Sequence, residues 1–154
     1  MTQAVVAAAL AVAALNALSG LLGGWLWRGY LPSERSVRAF WIALRIGQGS
    51  ALTLALAAGS LAAAGKYSRD HLFYLYALLP IAVGFVAEQL RVVSAQTILD
   101  QRGLADARAV GKLPERQQRR LVAEIVRREM GVMALSAVVV AFLALRAAGT
   151  AHGF

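Results

Sequence analysis

The sequence predicts an all-α protein, a bundle of four membrane-crossing helices in up-down order. Three observations predict it. Hydrophobic residues make up 59% of the 154 and charged residues 16%, against about 45–50% and about 25% in a soluble domain. The apolar residues are gathered into four long blocks, each reaching the roughly 20 residues that cross a bilayer core. The basic residues fall almost wholly into alternate connections, as the positive-inside rule requires of a multi-pass protein. The length fits a single domain, 1–154. Cysteine is absent, which excludes disulfides, thiolate metal sites and thiol redox chemistry.

The first block covers about 4–27. Met1-Thr2-Gln3 carries no positive side chain, whereas a secretory signal begins with a basic region, so this block is expected to be a retained helix. Gly29 and Pro32 break the polar loop that follows. The second block runs from about 37 to 64 and ends in the turn Gly65–Asp70, where Ser68 or Asp70 is the expected N-cap of the next helix. The third block covers 71–93, with the helix expected to continue to Leu99. A charged connection over 100–113 contains Gly103 and Gly111, and Pro114 fits the first turn of the last helix, where its missing N–H goes unused. That helix is longer than a bilayer needs. Its first half is amphipathic, with Leu121, Val122, Ile125 and Val126 forming a stripe among arginines. Its second half, 130–147, is the fourth span. The third and fourth spans are therefore expected to extend beyond the membrane on one side.

Four spans put both termini on one side and the connections 28–37 and 98–129 on the other. Those connections hold Arg28, Arg35, Arg102, Arg108, Lys112, Arg116, Arg119, Arg120, Arg127 and Arg128; the opposite side holds Lys66, Arg69 and Arg146. The expectation is a multi-pass protein of the cell (inner) membrane, with both basic connections cytoplasmic and both termini outside. Aromatic residues then form two belts: Trp25, Trp27, Tyr30, Phe40 and Trp41 inside, Tyr67, Phe73 and Tyr74 outside.

Ionisable residues within spans are costly to bury and are candidates for function by default. Glu88 lies a few residues inside the cytoplasmic end of the third span, and Arg91 is its i+3 neighbour. Arg45 lies roughly 10 Å along the antiparallel second span at 1.5 Å per residue, level with Glu88, and Gln48 extends the same face. As a functional site, Arg45, Gln48, Glu88 and Arg91 would be a polar chamber for an anionic group. As structure, Arg45 and Glu88 would be a clasp between helices, with Arg91 reaching lipid phosphates. Their position near the surface favours the clasp. Pro80, with Gly84 one turn on, frees the carbonyl of Tyr76 and is a candidate hinge, the plainer alternative being a static bend.

Small residues mark helix packing. Gly47, Ala51, Ala55, Gly59 and Ala63 recur every four positions in the second span, and Gly20 and Gly24 form a GxxxG pair in the first. The simplest pairing sets the first span against the second. Asn16 is expected to bond to a neighbouring helix. His71 and His152 both fall at the outer side, which argues against paired haem ligation within the bundle. No HExxH, GxSxG, phosphate-binding loop or Glu-x-x-His occurs, so no catalytic residue, metal or cofactor is assigned.

The net charge of +8 does not point to nucleic acid. The basic stretch 115–128 contains no aromatic residue to stack on bases. Its expected partners are the bilayer and its anionic headgroups, at Arg116, Arg119, Arg120, Arg127 and Arg128. Glu115–Arg119 and Glu124–Arg128 are i,i+4 pairs that support a helix there. Two function classes survive. The first is a non-enzymatic subunit or scaffold that packs through small-residue helix faces into a homo-oligomer or larger membrane complex. The second is a small transporter or binding protein for an anionic or amphipathic solute, using Arg45, Gln48 and Glu88.

Overall fold

A computed structural model describes residues 1–29, 33–105 and 107–153. Tyr30, expected in the inner aromatic belt, and Pro32, expected as a breaker, lie outside them. The described residues form five helices and no strand: α1 (Thr2–Arg28), α2 (Glu34–Ala63), α3 (Leu72–Gln101), α4 (Ala107–Val110) and α5 (Glu115–Thr150). Four of these, α1, α2, α3 and α5, are long and apolar enough to cross a bilayer, which suggests a multi-pass membrane protein.

Local chemistry sets the ends. The Ser33 hydroxyl accepts the Ser36 N–H at 3.2 Å and Glu34 stands in the first turn, so α2 begins with both a side-chain cap and a carboxylate at its positive pole. Helices α2 and α3 close in the same way. Gly65 (φ +74°) and Gly103 (φ +66°) take the left-handed conformation that glycine reaches without penalty. The next N–H then turns back, from Lys66 to Leu61 O at 2.9 Å and from Leu104 to Leu99 O at 3.0 Å. Between α2 and α3 the N-cap position falls to His71, without a side-chain cap bond, rather than to the expected Ser68 or Asp70. Asp70 Oδ1 accepts the Leu72 N–H at 2.9 Å. Ser68 instead is buried and fastens this turn to the C-terminal segment, its hydroxyl within 3.2 Å of Thr150 O and 3.1 Å of His152 O.

Helix α5 is the hub, packing most extensively against α1 and α3, while α1 holds α2 and the α2–α3 contact is slighter. The core changes character along the bundle. Towards the termini it is mostly alanine, with Phe73 filling the gap left by Ala9, Ala77, Ala144 and Ala147. Towards the α1–α2 loop it is built from Leu26, Phe40, Leu44, Met130 and Met133. Alanine lets helix backbones approach closely, and the larger side chains fill a wider space at the basic end. Two of the expected belt aromatics belong to this core: Phe40 and Phe73 are both fully buried. Phe40 reaches inward because Gly23 of α1 leaves room for its ring.

The small-residue ridge of α2 is used only in part. Gly47, Ala51 and Ala55 are buried, whereas Gly59 and Ala63 are exposed. At about 100° per residue, a spacing of four drifts by about 40° at each step, so the ridge turns away from its neighbour and Ala58 takes over the buried seam. Gly20 likewise lies against Ala134 and Val138 of α5 rather than against α2.

Beyond the basic end of the core, α3 and α5 continue side by side. Ile98 and Leu121 are buried there, and Arg102 binds Glu124 at 2.5 Å. That pairing replaces the expected Glu124–Arg128 contact, whereas Arg119 does bind Glu115 at 2.5 Å.

A candidate polar site between α2, α3 and α5

Antiparallel packing brings Arg45 of α2 level with Glu88 of α3. Arg45 Nη1 donates to Glu88 Oε1 at 2.6 Å and to Gln48 Oε1, one turn along its own helix, at 2.7 Å. The other carboxylate oxygen, Glu88 Oε2, accepts from Arg91 Nε at 3.0 Å. Arg91 carries the chain of charges onward. Its Nη1 lies 3.8 Å from Glu129 Oε2 on α5, and its guanidinium sits 5.3 Å above the Trp41 ring of α2. The result is an alternating ladder, Arg45–Glu88–Arg91–Glu129, across three helices. It contains two guanidiniums and two carboxylates, so it is electrically neutral. Arg45 keeps 54% of its side chain exposed and Glu88 26%, which sets the guanidinium at the rim and the carboxylate deeper.

All four residues singled out in the sequence therefore meet. Arg91 turns inward to carboxylates and an indole, not outward as its snorkelling reading had it. Glu129 and Trp41 are the partners that the sequence reading missed. The signal was present: Glu129 opens the last apolar block at the level where Arg91 closes the third, and the same levelling that paired Arg45 with Glu88 would have paired these.

Pro80 and Gly84 also belong here. They line a crevice of about 290 Å³ between α2 and α3 whose polar wall is Arg45, Gln48 and Glu88. Helix α3 stays helical through Pro80, which is buried. Gly84 has no neighbour within 4 Å of where a Cβ would stand, so its missing side chain leaves this space open. Asn16 forms part of the crevice wall on α1. It is 1% exposed, and its Nδ2 donates to Val12 O at 2.9 Å and across the helix interface to Gly47 O at 3.1 Å. Gly47 permits that bond because a Cβ there would stand 2.8 Å from the Asn16 amide oxygen. An interhelical bond of this kind stabilises by about 0.6–2 kcal/mol in an apolar surround.

Chemically, the site holds strong charge-assisted hydrogen bonds and has room for a small group beside them. A ligand anion would have to compete with Glu88 for Arg45. The crevice lies at the low end of ordinary ligand pockets, about 300–1,000 Å³. No family model, curated protein or solved structure matches the chain.

Proposed function

We propose that the protein is a non-enzymatic subunit or scaffold of the inner membrane, assembling with a further copy of itself or with other membrane polypeptides through small-residue helix faces. In this reading all four long helices span the bilayer, the basic connections 28–37 and 98–129 are cytoplasmic, and both termini lie outside. The observation that carries the reading is the closed charge ladder. Ionisable groups inside spans are the first place to look for activity, and here Arg45, Glu88 and Arg91 are each engaged by another group of the same chain. Such a ladder holds α2, α3 and α5 in register. Gly59 and Ala63, turned away from the bundle, remain available for another helix.

Native mass spectrometry after gentle extraction from the membrane tests this. A second copy or a second polypeptide at fixed ratio is the expected result. A lone chain under the same conditions would contradict it.

One observation favours a second reading, a binding protein or transporter for a small anionic or amphipathic solute. The crevice gathers Arg45, Gln48 and Glu88 beside Pro80 and Gly84. A lone chain carrying a defined small mass in the same experiment would establish this second reading in place of the first.

A further inference from the structure

On the opposite side of the bundle, a groove of about 540 Å³ runs between α1 and α5. Its floor is glycine: Gly20 and Gly24 from α1, Gly131 from α5. Its α5 wall is apolar, with Leu135 67% exposed. One end is different. There Arg128 and Trp27 close the groove, and the guanidinium of Arg127 lies 5.8 Å from the Trp27 ring centre. Trp27 lies over Gly131, its Nε1 only 3.0 Å from where a Cβ would stand. Among the described residues no carboxylate pairs with Arg127 or Arg128, because Glu124 is held by Arg102 and Glu129 faces Arg91.

From Arg128 to Val138 the groove follows ten residues of helix, about 15 Å at 1.5 Å per residue. That is half of the roughly 30 Å hydrocarbon core, the depth of one leaflet. The groove is thus apolar over the length of an acyl chain and cationic where a phosphate would lie. We propose that it binds one anionic phospholipid, with an acyl chain along Gly20, Gly24 and Leu135 and the phosphate at Arg128 beside the Trp27 indole N–H. The inference rests on the same membrane placement as the proposed function but not on assembly. A second copy of the chain seated on Gly24 is the rival occupant, and charge decides against it, because the groove ends at Arg128, which has no carboxylate partner among the described residues and which a second basic chain would repel.

The test uses the full chain in nanodiscs of equal phosphatidylglycerol and phosphatidylcholine, with retained lipid counted by native mass spectrometry. Wild type should keep one phosphatidylglycerol per chain in preference to phosphatidylcholine. Arg128→Gln, at an exposed position, should lower that preference about fivefold. Gly24→Leu should displace the lipid, since nothing lies within 4 Å of its Cβ position and the new side chain would occupy the groove. Equal retention of both lipids by wild type would overturn the proposal. So would a dimer that Gly24→Leu dissociates while lipid retention stays unchanged. Arg128→Gln alone decides the headgroup claim if Gly24→Leu does not fold.

Discussion

Each glycine in this chain has its own surroundings, and those separate sites that look alike in sequence. A Cβ on Gly23 would run into the Phe40 ring and stand 2.8 Å from the Ala134 Cβ. Phe40 is fully buried, so its ring has nowhere to go, and Gly23→Ala should destabilise the fold by about 1–3 kcal/mol, the range for overpacking. Gly59→Ala meets nothing within 4 Å and should leave stability unchanged or slightly raised, as helix propensity favours alanine. Thermal melting in detergent checks both; equal effects at the two sites would refute the packing described. Little of this contrast was legible in the sequence, where Gly20, Gly24 and Gly59 stood out by spacing alone. Spacing identifies a small face but not its partner. The Arg45–Glu88 contact was legible because two antiparallel helices of known length fix the level of each residue. Arg91 was misread because only the second and third blocks were levelled against each other.

At the scale of elements, long apolar blocks left little freedom. The four long helices fall within a few residues of the blocks that predict them, because proline and glycine punctuate their ends. The short α4 was missed: four residues in a charged connection carry no periodicity to recognise. The lengths of α3 and α5, which run on past their apolar blocks, were foreseen from hydropathy and amphipathicity, but their Arg102–Glu124 tie was not, since a pair across two helices leaves no trace in local spacing. The proposed orientation puts the ten basic residues of the two connections on the cytoplasmic side and Lys66, Arg69 and Arg146 on the other. A reporter active only outside the cytoplasm, fused to the C-terminus, should therefore be active, and one fused within 28–37 should be silent. The reverse pattern would contradict the topology.

For the whole molecule, the proposed role of the charges between α2, α3 and α5 is to hold helices rather than to do chemistry. Helix α2 touches α3 less than α1 touches α5, so the ladder supplies attachment where apolar packing is thin. The alternative, a chamber that binds a solute, uses the same residues and differs in what their loss does. The most direct measurement is a double-mutant cycle on thermal stability with Arg45→Gln, Glu88→Gln and the pair together. A clasp predicts a loss of about 1.5–3 kcal/mol for Glu88→Gln, the range for a charge-assisted hydrogen bond, with partial recovery in the double variant because no unpaired charge is then left behind. Unchanged stability in both single variants would contradict the clasp and leave those charges to the solute.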